Sequence, residues 1–396
     1  MSLPGPLRVV HCGLLVPGGG DPPLRQATLV LDGDRVHAIE PGWPSPAEGQ
    51  PIDLRDAAVM PGRGDGHDHF GIEMGDGEPA ARQDPQWRAL KGTKNARAML
   101  ASGITTLRNA GEMHHLGRHV RAAIEAGWLP GPRTVLSGIP ICSTGGHGWF
   151  LGIEADGADA VRAAVRANVK GGADMIKMIV TGGVTTPGGT LARPCFTRAE
   201  IEAAVDESHL AGKRIGVHCY GGPAATWAID AGVDSIEHGT YLTEAQLDAM
   251  AARQTFLVST VGVMRAAADT PSVAPFMRER FRQVSEDYVA LLERARARGI
   301  RVAVGCDTHH AALADEVDAL LAAGYTPTEA LRAATTGGAE LCGREGEVGA
   351  LRPGMLADFL ALDRGLLDDP TGALRRVRAV YKGGARQPTS PGDPLG

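Results

Sequence analysis

Pro61-Gly62-Arg63-Gly64-Asp65-Gly66-His67-Asp68-His69 is the stretch from which the rest of the chain is read. Val59 and Met60 lead into it, so an apolar run ends where a glycine-rich path begins. In extended chain, residues two apart point to the same face. His67 and His69 therefore present two imidazoles to one side of a strand end. Neutral imidazole binds divalent cations well. Asp68 points away from both and is read as structural. His-x-His alone is a weak signal, so its meaning depends on what the other apolar segments carry at their ends.

Those segments follow a rhythm. Gly103–Leu107, Thr134–Ser137, Asp174–Val180, Ile215–His218, Ser235–His238, Phe256–Thr260 and Arg301–Gly305 read as strands. Helix-like stretches lie between them, among them Ala158–Lys170, Thr197–Ala211 with Thr197 and Glu200 spaced as a capping box, and Thr243–Arg253. Strand and helix alternate about eight times, the size and rhythm of an α/β fold of the (β/α)8 TIM barrel type. A doubly wound sheet is the alternative, but no Gly-x-Gly-x-x-Gly turn supports it. Short strands also occupy both chain ends, from Leu7 to Met60 and again at Asp358–Leu362 and Val377–Tyr381. Chain termini often lie close together. Residues 1–60 and 345–396 are thus expected to form one small β-sandwich domain beside a barrel over 61–344.

In a parallel barrel the chemistry gathers at the C-terminal ends of the strands. His67 and His69 end the first strand, Lys177 lies in the fourth, and His218 and His238 end the fifth and sixth. Asp307 follows the eighth. Each is an ionisable group in a segment otherwise built for burial, where an unpaired charge costs several kcal/mol. Separately, a strand-end histidine is more often a hydrogen-bonded core residue, Lys177 could pair with a carboxylate, and Asp307 could cap a helix. Six such residues in this order are more economically explained by convergence on a metal.

Composition narrows the partners. The 396 residues are 43% hydrophobic and 22% charged with a net charge of −6, and no basic cluster appears. Nucleic acid and anionic membrane are therefore not expected partners. No apolar run approaches a membrane span and the first residues lack a secretory pattern. Six cysteines without Cys-x-x-Cys suggest neither a disulfide framework nor a thiolate zinc site, and a reducing cytoplasm is the expected compartment. Cys219 and Cys306 read as small apolar fillers beside candidate ligands.

With these residues in view the chain resembles the metal-dependent amidohydrolase superfamily over almost its whole length. Asp65-x-His67-x-His69 is similar to the first-strand motif, Lys177 to the carboxylated bridging lysine, His218 and His238 to the next two ligands, and Asp307 to the strand-eight aspartate. The tail Gly349–Asp358 resembles the return into the small domain. Thr144–Gly148, Thr181–Val184, His218–Gly221 and Ile236–Gly239 resemble the Xaa-Pro dipeptidase-like, imidazolonepropionase-related branch. The acid that deaminases place three residues after the strand-five histidine is missing, because Gly221 stands there.

The resemblance implies two divalent cations, expected to be zinc, bridged by carboxylated Lys177. It also implies hydrolysis of a small-molecule amide, with a dipeptide or N-acyl amino acid as the favoured substrate. Asp307 would move the proton, and Tyr220 and His147 would polarise the carbonyl. Arg193 is a candidate to hold a substrate carboxylate, and His309 or His310 to enter the pocket. The loops about Glu73–Arg88, Ser143–Asp156, Val184–Phe196 and Val261–Phe281 are expected to set specificity. Hydrolysis of a cyclic amide, carbamate or urea is the second enzymatic reading, and a catalytically inactive binding protein the third. A homo-oligomer is compatible with everything above.

Overall fold

The computed structural model describes residues 7–45, 50–77, 79, 82–186 and 190–389. The chain opens with β1 (Arg8–Leu15), β2 (Leu24–Asp32), β3 (Arg35–Pro41) and β4 (Ile52–Pro61). The residues from Arg63 to Asp68 then form β5, followed by α1 (Pro85–Ala101), β6 (Ile104–Asn109), α2 (Leu116–Glu125) and β7 (Arg133–Leu136). Two short strands come next, β8 (Ile141–Cys142) and β9 (Ile153–Glu154). The alternation continues through α3 (Ala158–Lys170), β10 (Met175–Ile179), α4 (Arg198–Leu210), β11 (Arg214–Gly221), α5 (Gly222–Ala231), β12 (Ser235–Tyr241), α6 (Glu244–Arg253) and β13 (Phe256–Ser259). Three helices follow in succession, α7 (Val261–Asp269), α8 (Pro275–Glu286) and α9 (Tyr288–Ala297), before β14 (Val302–Val304). The chain closes with α10 (Leu313–Ala322), α11 (Pro327–Ala333), α12 (Thr336–Cys342), β15 (Phe359–Asp363), α13 (Pro370–Arg375), β16 (Ala379–Lys382) and β17 (Ala385–Gln387).

The result is a mixed α/β architecture built on parallel strands. One arc pairs β5, β6 and β7, and a second runs β14-β13-β12-β11-β10-β8-β9. Backbone hydrogen bonds link the two arcs at two places. Asp174 N–H, just before β10, donates to Leu136 O of β7 at 2.7 Å, and Asp307 N–H, just after β14, donates to His67 O of β5 at 2.8 Å. Strands buried on both faces read as continuous apolar runs, and Met175–Ile179 is buried at every position. The helices carry local start signals. Thr197, Thr243 and Thr326 each cap a helix reciprocally with Glu200, Gln246 and Glu329.

A separate seven-stranded sheet has the order β17-β16-β15-β4-β1-β2-β3 and so joins the two chain ends. β15 lies antiparallel to β4, with Phe359 opposite Pro61 and Leu360 opposite Met60. Val10, Leu29, Val59, Phe359 and Tyr381 share an apolar cluster distinct from the main one. Because β4 runs into β5 through Gly62 alone, this sheet fixes the strand that carries His67 and His69.

The stretch 261–281, expected as a loop, is instead helical over α7 and most of α8. The helix start is supplied from a distance: Thr260 makes no side-chain cap, and the Gly262 N–H donates to Glu316 of α10. No helix among the described residues is long and apolar enough to cross a membrane. All six cysteines are free thiols.

Candidate metal centre

β5, β10, β11, β12 and the turn after β14 deliver His67, His69, Lys177, His218, His238 and Asp307 to the lining of one cavity. His67 and His69 present their Nε2 atoms to Asp307 Oδ1 at 3.5 and 3.7 Å. His238 Nδ1 lies 3.9 Å from Asp307 Oδ2. The rings of His67 and His238 are 5.3 Å apart, and those of His218 and His238 4.5 Å. Lys177 is buried below them, its Nζ in contact with Glu237 Oε2. Two of these residues hold unusual backbone. His238 has φ 71° and Asp307 φ 41°, with Thr308 at 74°. Non-glycine residues adopt the left-handed region at a cost and cluster at functional sites.

Each of the four histidines has one ring nitrogen facing a protein acceptor. His69 Nδ1 meets Gly111 O at 2.8 Å, His218 Nε2 meets Gly182 O at 3.1 Å, and His238 Nδ1 meets Thr260 Oγ1 at 2.7 Å. His67 Nδ1 stands 3.2 Å from Glu237 Oε2. That leaves the opposite nitrogen of each ring for a ligand, the arrangement in which a histidine's second nitrogen fixes tautomer and aim for a metal. Burial holds His67, His218 and His238 well below the usual imidazole range and His69 down to about 4, so all four stand neutral and able to ligate at pH 7. Desolvation also pushes the Lys177 ammonium well down, with the Arg108 guanidinium adding repulsion. The Asp307 carboxyl is pushed up to about 7 by burial, partly offset by Lys177. His67, His69 and Asp307 bring one ligand atom each within 4.8 Å of one another, so the donor set fits a divalent cation.

Tyr220 and His147 also line the cavity. The Tyr220 ring stacks on His238 at 5.1 Å, and His147 packs 4.6 Å from His218 with its Nδ1 2.9 Å from Thr186 Oγ1. Burial raises the Tyr220 phenol well above its ordinary range, which keeps it a hydrogen-bond donor. Phe150, Leu151, Val263, Met264 and Phe281 contribute apolar surface to the same lining.

Arg193 and His309, expected at the substrate, are not among the residues lining this cavity. Arg193 is exposed and takes part through its carbonyl, which accepts from Gly182 N–H. The left-handed turns at Asp307, Thr308 and Ala311 swing His309 towards Asp315, 3.9 Å from its Nδ1, and His310 onto Asp68 at 2.9 Å. Asp68 is buried and accepts from the backbone N–H of His69 and Thr308, a structural role. Sequence reasoning gave no role to Glu237, Arg108 or Thr260, whereas Val263, Met264 and Phe281 fall in the stretch 261–281 expected to set specificity. The signal for the first two was available: both are charged residues inside buried strands.

The amidohydrolase family model matches residues 58–386. The chain is 28% identical to ochratoxinase of Aspergillus niger over 415 aligned residues, covering 95% of this chain and 85% of that protein. An imidazolonepropionase of Saccharopolyspora erythraea is 28% identical, with 86% of this chain and 87% of that protein covered. Among solved structures, a Xaa-Pro dipeptidase with bound methionine in the active site superposes with a TM-score of 0.88 at 30% identity, over 96% of this chain and 99% of that one. With a family model spanning most of its length and prolidase-like amidohydrolases as its structural neighbours, this chain belongs to the amidohydrolase family.

Proposed function

We propose that the protein is a prolidase-like hydrolase that cleaves the amide bond of a dipeptide or N-acyl amino acid. The observation that carries this reading is the set of four neutral imidazoles, each with one nitrogen turned to a protein acceptor and the other available beside Asp307 and Lys177. His67, His69, Lys177, His218, His238 and Asp307 would hold two divalent cations, taken to be zinc, with Lys177 carboxylated between them. The neutral amine that burial favours at Lys177 can add carbon dioxide, and the resulting carbamate would add anionic oxygen to the donor set that holds the cations. Bound there, the cations supply an activated water and polarise the scissile carbonyl.

The residues of the chain do the rest. Asp307, the most exposed of the group with 24% of its side chain accessible, takes the proton of the attacking water and delivers it to the leaving nitrogen. Tyr220 and His147 direct their polar atoms at the carbonyl oxygen as it gains charge. The apolar wall of Phe150, Leu151, Val263, Met264 and Phe281 excludes water and favours a substrate with a large apolar side chain or acyl group. None of the described lining residues is an arginine, and the acidic residues Glu73 and Asp76 line the cavity beside the apolar wall. The similarity to ochratoxinase and to a Xaa-Pro dipeptidase supports amide chemistry, and the similarity to imidazolonepropionases supports a cyclic amide as the second reading.

The same reading takes the two parallel arcs as one closed (β/α)8 barrel over 61–344. Residues 1–60 and 345–396 are taken as one β-sandwich domain, supported by the pairing of β15 with β4. The test is a screen of the zinc-supplied protein against dipeptides and N-acyl amino acids graded by apolar bulk, beside lactams, carbamates and phenylureas. Turnover rising with apolar bulk is the expected result. Cleavage of the neutral cyclic compounds or ureas, with every amino-acid amide left intact, would replace this reading.

A further inference from the structure

Glu237 and His238 are consecutive on β12, where neighbours ordinarily face opposite sides. The φ of 71° at His238 breaks that alternation, and both side chains reach His67. Glu237 is fully buried. Its Oε1 accepts from Arg108 Nη2 at 2.7 Å. Arg108, also buried, is locked in turn by Gly66 O at 2.6 Å from Nε and Ser235 Oγ at 3.0 Å from Nη1. Room for the pair comes from Gly216, where an added Cβ would sit 2.8 Å from Glu237 Oε1 and 2.7 Å from Ser235 Oγ. A buried ion pair is poor evidence of stabilisation, because desolvation cancels much of the attraction. The other carboxylate oxygen indicates what the pair is for. Oε2 faces His67 Nδ1 at 3.2 Å and touches Lys177 Nζ. Among the described residues these three buried atoms have no hydrogen-bond partner, although they lie within reach of one another.

We infer that Glu237 is the positioning residue of the metal centre: its Oε2 accepts from Nδ1–H of His67 and from the N–H that Lys177 keeps as a carbamate, while Arg108 immobilises its Oε1. The inference rests on the reading given under Proposed function. One carboxylate then aims two ligands from different strands, sending the His67 lone pair at Nε2 towards Asp307. Glu237 touches neither substrate nor cation.

Glu237→Gln tests this. Arg108 carries donors only, so the amide oxygen must turn to Arg108 and the NH2 group to His67. An NH2 group facing Nδ1 requires an acceptor there, which moves the ring proton to Nε2 and removes the ligand lone pair. In chelator titrations of zinc-loaded protein, the variant should lose metal at concentrations about 10–100-fold lower than wild type. Its kcat should fall while KM stays close to wild type, and the melting temperature of the metal-stripped protein should be little changed. Should Glu237→Gln fail to fold, Arg108→Lys, which keeps a cation for Glu237 but lacks the planar fork whose three nitrogens reach Gly66, Ser235 and Glu237, should show a smaller loss in the same direction. Wild-type metal retention in whichever variant folds, with only stripped-protein stability lowered, would overturn the inference alone. A wild-type protein that retains no divalent cation would overturn it together with the reading on which it rests.

Discussion

Glu316 sits in the first turn of α10 and serves the start of a different helix, α7. Its carboxylate accepts from Ser259 Oγ at 2.6 Å and from the Gly262 N–H. These bonds favour the anion, as does the helix N-terminus. Burial opposes them and wins: the side chain is 1% exposed and its pKa is pushed up from 4.5 to about 7. A carboxyl whose folded pKa lies above its unfolded value makes the unfolded state bind fewer protons between those two values. Stability from this group is therefore complete below about pH 4.5 and declines as pH rises to about 7, with no further loss above. At about 1.4 kcal/mol per pKa unit, a rise of about 2.5 units makes the loss about 3.5 kcal/mol. Glu316→Gln keeps the shape, accepts from Gly262 and donates to Ser259, but cannot ionise. With about 2 cal/mol/K of unfolding entropy per residue, the variant should melt about 4 °C above wild type at pH 8 and level with it at pH 5. Thermal melts of both proteins at matched metal loading across that range are the assay. A difference that stays flat with pH, or a variant less stable at pH 8, would show that the donors hold the carboxylate ionised and would refute the reasoning.

Two further outcomes follow from the site. Lys177→Ala should lower bound metal from about two per chain toward one or none, with activity falling by orders of magnitude. Elemental analysis and turnover of the purified variant check this, and full occupancy with near-normal turnover would dismiss the bridging role. Asp307→Asn should retain metal yet lose turnover. In the metal-stripped wild type the Asp307 carboxyl, raised to about 7, is protonated below that pH and competes with cation binding. Zinc titrations should therefore show wild-type affinity weakening by up to about tenfold per pH unit below 7, a slope that Asp307→Asn flattens.

How much of this was legible depended on whether the cause of each feature was local. The ligand series was readable because each member is an ionisable residue within or just after a strand built for burial, and β5 to β14 present those strands in chain order. The helix starts at Thr197, Thr243 and Thr326 were readable because cap and partner lie three residues apart. α7 was read as a loop because its start is held by Glu316, some fifty residues downstream, and nothing near Thr260 announces it. Arg193 and His309 had suitable chemistry, but direction is a backbone property: left-handed turns at three residues sent His309 towards α10. Glu237 is the most instructive case. Its charge in a buried strand was visible, yet the side chain is held by Arg108 on β6, in the other parallel arc. The local pattern identifies which residues could bind a cation, whereas the groups that aim them are specified across the interior, where register and not sequence order decides the neighbours. Substitutions that weaken the site without touching a ligand should accordingly concentrate among such cross-strand partners, with Arg108 and Glu237 first.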